Sequence, residues 1–127
     1  MPKISMLAAL LAFAPLAAFV HGTSPVAVHG GQVVEDSAEH WVELVMKGDQ
    51  MTAYVFDEDK NPVPSAQLTG KATVLAGGKS QQLVLAPAEA NSLTGKLDPA
   101  ATGKVTAVLS LTVGGKPAQA RFAAVQQ

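Results

Sequence analysis

The sequence predicts an all-β protein, an immunoglobulin-like β-sandwich of seven or eight short antiparallel strands, and three observations carry that expectation. Three short links built on glycine, Gly48-Asp49, Gly77-Gly78 and Gly114-Gly115, sit between alternating runs and offer the positive φ angles of two-residue hairpin turns. Turn signals recur at the close spacing of sandwich strands. Beyond residue 22 there is no heptad pattern, no glycine-rich phosphate loop, no low-complexity tract and no helical candidate.

The elements follow in order. Residues 1–22 combine an early charge at Lys3, an apolar stretch over 6–20 broken only by Pro15, and the small-residue ending Val20-His21-Gly22. That is the layout of a secretory signal peptide, and the run lacks the flanking charge of a stop-transfer segment. The chain is therefore expected to be exported to a periplasm and to enter no membrane after cleavage. Residues 23–31 read as a flexible mature N-terminus, and residues 32–127 as one β-sandwich domain. About a hundred residues suffice for one small core and not for two.

Charge and cysteine content narrow the class. Ten acidic residues against nine Lys and Arg leave a formal net charge of -1 with no basic block, so neither nucleic acid nor an anionic membrane surface is an expected partner. No cysteine is present, which removes disulfides, thiolate ligands, thiol nucleophiles and a lipidated N-terminal cysteine. A monomer held by packing alone is expected.

A first strand falls near residues 32–36. Pairing around Gly48-Asp49 sets Met46 opposite Met51, Leu44 opposite Ala53, Val42 opposite Val55 and His40 opposite Asp57. The reverse face carries Trp41 with Phe56 and Glu43 with Tyr54, and alternation alone does not choose the core face. Residues 57–64, acidic and rich in turn formers, read as a connecting loop. The second hairpin sets Ala72 opposite Leu83 and Gly70 opposite Leu85, with Thr73 and Gln82 facing out. Residues 86–91 are irregular, a short strand follows at 92–97, and 98–103 leads into the last hairpin. There Leu111 faces Ala118, Leu109 faces Ala120 and Ala107 faces Phe122 on a dry face, while Ser110 with Gln119 and Val108 with Arg121 form a wetter one.

The string His29-Gly30-Gly31, then Glu39-His40-Trp41-Val42-Glu43-Leu44-Val45, residues 57–64, Val74-Leu75-Ala76-Gly77-Gly78 and the closing stretch from Gly114 to Phe122 resemble a group of small exported proteins. Those proteins are similar to the N-terminal β-domain of some periplasmic adaptor subunits of RND-type heavy-metal efflux pumps. The resemblance implies a β-sandwich, a periplasmic address and a role near heavy-metal handling, with a metal-efflux membrane complex as partner. The long coiled-coil hairpin and the other adaptor domains are absent from the sequence.

The candidate metal ligands are His29 and His40, Asp57, and the thioethers of Met46 and Met51, with Glu39 and Glu43 as possible helpers. Neutral imidazole suits zinc and copper, and thioether suits cuprous copper. Copper or zinc is the ion such a set would take, and no cofactor is required. Each candidate also has a plain role: facing methionines fill gaps in cores, and a histidine opposite an aspartate is a cross-strand pair worth on the order of 0.2–1 kcal/mol. In the sharper alternative Asp57 orients a metal-bound imidazole. Calcium in the 57–59 run is disfavoured by Lys60 and by the missing EF-hand spacing.

Catalysis is not expected. No serine lies in a G-x-S-x-G elbow, and the carboxylates fall in loops and on strand faces with no apolar pocket to raise a pKa. Two non-enzymatic functions remain: an accessory that binds a transition-metal ion weakly for an efflux system, or a metal-independent interaction module using a sheet edge or an aromatic sheet face.

Overall fold

The computed structural model describes residues 27–125, so the expected signal peptide over 1–22 and residues 23–26 lie outside the described part. Eight strands follow in order: β1 (Gln32–Glu35), β2 (Trp41–Lys47), β3 (Gln50–Phe56), β4 (Leu68–Ala76), β5 (Lys79–Pro87), β6 (Ser92–Lys96), β7 (Val105–Val113) and β8 (Lys116–Val125). Among the described residues the one helical element is a 3₁₀ turn at Ser65–Gln67.

The glycine links set the pairing. Both residues of Gly77-Gly78 and of Gly114-Gly115 have positive φ, as type I′ turns require, whereas at Gly48-Asp49 only the glycine does, the pattern of a type II′ turn. These turns match the right-handed twist of the strands they join, and they fix register. Met46 pairs with Met51 and Glu43 with Tyr54, Ala72 with Leu83, and Leu109 with Ala120, as the alternation predicts.

All pairing is antiparallel, in one hydrogen-bonded order β1-β2-β3-β6-β5-β4-β7-β8. Its weakest seam joins β5 to β6 through only Ala86 with Thr94 and Pro87 with Leu93. The seam divides the sheet into two halves, β1-β2-β3-β6 and β5-β4-β7-β8. The ends of the order approach each other: Ser37 N–H donates to the Gln119 carbonyl at 3.0 Å, Gln119 N–H donates to Ser37 Oγ at 2.9 Å, and Gln32 Nε2 reaches the Ala123 carbonyl at 3.4 Å. The sheet thus curls almost to a barrel.

One apolar cluster lies between the halves. Val42, Leu44, Met46, Met51, Ala53 and Val55 of the first hairpin pack in it with Leu85, Leu93, Leu109, Leu111 and Phe122. The methionine face of the first hairpin is therefore the core face. On β4 the alternation is complete: Leu68, Gly70, Ala72 and Val74 point inward, and Thr69, Lys71, Thr73 and Leu75 outward.

Phe122 is fully buried and Val84 is 71% exposed. Phe122→Ala is expected to cost about 3–5 kcal/mol, and Val84→Ala less than about 0.5 kcal/mol, in urea unfolding followed by circular dichroism.

Candidate functional site

Glu43 sits in the middle of β2, between Val33 of β1 and Tyr54 of β3, and its side chain leaves the sheet on the face away from the core. It is nevertheless fully buried. The cover is the segment before β1, which folds back over the outer face of the first hairpin. Oε1 accepts the Val28 N–H at 3.1 Å and His29 Nδ1–H at 3.0 Å; Oε2 accepts the N–H groups of His29 and Gly31, both at 2.8 Å. An ionised carboxylate accepts only, so Nδ1 is the protonated nitrogen of the His29 ring. The ring lies flat on Tyr54, with centroids 3.6 Å apart and planes 4° from parallel.

The local sequence makes this fold-back feasible. Gly30 has φ of +78°, and at Gly31 a Cβ would be driven into the Leu44 carbonyl and the Val45 side chain. In place of the flexible terminus expected for this stretch, residues 28–31 are held by a carboxylate that takes three backbone N–H groups at once. Burial pushes the Glu43 pKa up, but the hydrogen bonds from Gly31, the His29 ring, His29 N–H and Val28 outweigh it and hold the carboxyl below its ordinary value.

His40 is bound differently from the expected pairing. The β2–β3 ladder ends at Trp41 with Phe56, and His40 lies just outside it. Its Nδ1 meets Asp36 Oδ2 at 2.9 Å, while Asp36 Oδ1 accepts the N–H groups of Ala38 and His40 at 2.8 and 2.9 Å. The partner is thus a buried aspartate four residues earlier, and not Asp57 across the strands. Asp57 closes its own loop, its Oδ1 accepting from Asp59 and Asn61 N–H at 2.9 Å each.

The proposed ligands are therefore dispersed. Met46 and Met51 are 4% and 0% exposed in the core. His29 lies over the Glu43–Tyr54 pair, His40 at the turn between β1 and β2, and Asp57 after β3. Trp41 and Val42 of β2 lie between His40 and Glu43, a span of about 10 Å along an extended chain. Among the described residues no group of three or more His, Asp or Glu side chains converges on one point.

Chemically, Glu43 is spent as an anchor. Its oxygens offer about four lone-pair sites, and all are taken, which leaves no site to accept a substrate proton or to ligate an ion. Each histidine keeps Nε2 free of any hydrogen bond to a described residue. Beside His29 a small polar cleft is lined by Lys47, Gln50, Thr52 and Tyr54.

The aromatic face is neither core nor free, since Trp41 is 7% exposed and Glu43 lies under residues 28–31. Two functional carboxylates were not given their roles by sequence reading. A lone glutamate amid Trp41, Val42, Leu44 and Val45 is a signal for a buried acceptor. Asp36 with His40 four residues on, across a Ser37-Ala38 turn, is a signal for an Asx turn. No protein-family model, no curated protein and no solved structure matches the chain.

Two outcomes test the anchor. Glu43→Gln puts an NH₂ group in front of two donors whichever way the amide turns, and is expected to cost about 1–3 kcal/mol and to speed amide exchange at Val28, His29 and Gly31. Because the folded-state pKa lies below the unfolded one, the Glu43 contribution is fully present above the ordinary carboxylate range near about 4.3. It is lost as pH falls through the lower folded value. The stability gap between wild type and variant, measured by urea titration, is expected to be flat above about pH 5.5 and to narrow progressively below about pH 4.

Proposed function

We propose that this chain is a non-enzymatic accessory of an exported, periplasmic system, an immunoglobulin-like β-sandwich that works by contact with a protein partner. The observation that carries the reading is the contrast between its two outer faces. Residues 28–31 cover the outer side of the first hairpin, whereas the outer side of β5-β4-β7-β8 stays open, with Val84 71% and Leu75 50% exposed. Val84 and Leu75 stand singly and form no large patch, so it is the openness of this face beside the covered one that makes it the available contact surface.

The strand order supports the sandwich: β2-β3-β6 lies opposite β5-β4-β7-β8 across one core, with β1 added at the edge beside β2. The similarity of the sequence to adaptor-subunit β-domains makes a heavy-metal efflux complex of the membrane the first partner to test. Export itself rests on the pattern of residues 1–22.

A second reading, weak capture of copper or zinc, draws support from one feature. Both mature-chain histidines have Nδ1 fixed by a buried carboxylate, the arrangement that orients imidazole for a metal at Nε2. Burial of Met46 and Met51 and the closed turn at Asp57 leave these histidines as separate single-ligand positions.

A photoactivatable residue at Val84 or Leu75, introduced into the full chain in cells, is expected to give a discrete cross-linked species in the envelope fraction, with Glu58 in the acidic loop as the negative position. Absence of any adduct from the open face overturns the contact reading. Titration calorimetry with zinc, cupric and cuprous ions addresses the second reading. Binding weaker than about millimolar, roughly −4 kcal/mol, or binding unchanged in a His29→Ala, His40→Ala double variant, removes it.

A further inference from the structure

The charges of the molecule are partitioned between its halves. All ten Asp and Glu residues lie outside β4, β5, β7 and β8, whose charged residues are Lys71, Lys79, Lys116 and Arg121. None of these four cations makes an ion pair with a described residue. Elsewhere four of the acids are in use: Glu43, Asp36 and Asp57 accept backbone N–H groups, and Asp49 meets Lys96 at 3.4 Å.

Register turns that partition into a pattern on the open face. Arg121 of β8 is paired with Val108 of β7, Val108 with Thr73 of β4, and Lys71, two residues before Thr73, with Val84 of β5. Arg121, Val108, Lys71 and Val84 share outward parity, and all are exposed except Val108, which is half-buried. Read across four strands, they form one diagonal stripe of cation, valine, cation, valine. With strands about 4.8 Å apart and about 6.6 Å between every second residue, the steps are roughly 5, 8 and 5 Å, and the cations stand about 12 Å apart. An extended chain presents every second side chain on one face at about 6.6 Å, so its positions i and i+4 fall about 13 Å apart. Beside Lys71 the face dips into a shallow groove lined by Thr69, Val84, Ser110, Pro117 and Gln119.

We propose that this stripe docks an extended acidic segment of a partner protein, with carboxylates at positions i and i+4 over Arg121 and Lys71 and apolar residues at i+2 and i+6 over Val108 and Val84. The inference rests on the contact reading and adds to it the place and the partner's chemistry. The carboxylates supply the counter-ions that the half-sheet lacks. Apolar residues at the intervening positions cover the valines. Specificity against basic segments follows from the same cations, because a like charge over either one is repelled.

The test uses the full chain and two synthetic peptides, acetyl-(Glu-Thr-Val-Thr) repeated twice and its counterpart with Lys for Glu, in a two-dimensional NMR titration. The acidic peptide is expected to shift amide signals around Lys71, Val84, Val108 and Arg121, with affinity falling as salt rises from about 0.05 to 0.5 M. In a Lys71→Glu, Arg121→Glu variant, whose surface changes leave the melting temperature close to wild type, binding of the acidic peptide is expected to fall at least tenfold and the preference to pass to the lysine peptide. Equal binding of both peptides by the wild type, or shifts confined to β1, β2, β3 or β6, overturns the proposal. So does absence of shifts at about millimolar peptide, roughly −4 kcal/mol, and so does binding to anionic phospholipid vesicles in place of the acidic peptide. In each of these cases an envelope cross-link from Val84 keeps the contact reading, and its absence as well removes both.

Discussion

Register between β2 and β3, set at Gly48-Asp49, is the constraint from which both faces of the molecule follow. Side chains alternate with a period of two, so a slip of one residue would send Val42, Leu44 and Met46 outward and bring Trp41, Glu43 and Val45 into the core. The apolar side of that choice is ordinary burial. The other side is sharper, because an ionised carboxylate inside the cluster around Phe122 and Leu109 would lose its hydration with no donors to replace it. On the outer face the same carboxylate is fully buried yet fully hydrogen-bonded. Glu43 therefore enforces the register from one side of the strand while Met46 and Met51 enforce it from the other.

The second consequence concerns β1, a strand of four residues with a full ladder only toward β2. So short an edge strand makes few hydrogen bonds of its own. It is pinned at both ends by the same device: a buried carboxylate that gathers the backbone N–H groups of the adjoining irregular segment and adds the Nδ1–H of a histidine. Glu43 does this for residues 28–31 before the strand, and Asp36 does it for residues 38–40 after it. Ser37 then fastens the second of these turns to Gln119 of β8. The nearly closed outline of the sheet thus depends on two acids and two histidines at the margins of its shortest strand.

The hairpins were legible because their information is local. A two-residue glycine link leaves one register, and the pairings of Met46 with Met51, Gly70 with Leu85 and Leu111 with Ala118 follow directly from it. The core face of the first hairpin was not legible, since Trp41, Tyr54 and Phe56 on one side balance Val42, Leu44, Met46, Met51 and Val55 on the other. What decides it is the fold-back of residues 28–31, a contact fourteen residues away in sequence between His29 and Glu43, and no periodicity reports that. A pairing of His40 with Asp57 extends the ladder one step beyond its end at Trp41 and Phe56. The strand gives way at Trp41 because Asp36 offers the His40 N–H and ring a closer partner within the turn.

These local solutions also account for the charge asymmetry. Irregular segments expose backbone N–H groups that need acceptors, and in this chain they cluster around β1, β2 and β3, where Asp36, Glu43 and Asp57 satisfy them. The half-sheet β5-β4-β7-β8 satisfies its backbone by long ladders, two glycine turns and the Ser37 hydroxyl that accepts from Gln119, so it uses no carboxylate acceptor and holds no acid. On that face Lys71 and Arg121 are exposed to water, with no ion-pair partner among the described residues. Asp36, Glu43 and Asp57 are committed to backbone N–H groups around the first hairpin, while Lys71 and Arg121 stand on a half-sheet that holds no acid. The means by which each half closes its own hydrogen bonds is what makes the second half electrostatically incomplete.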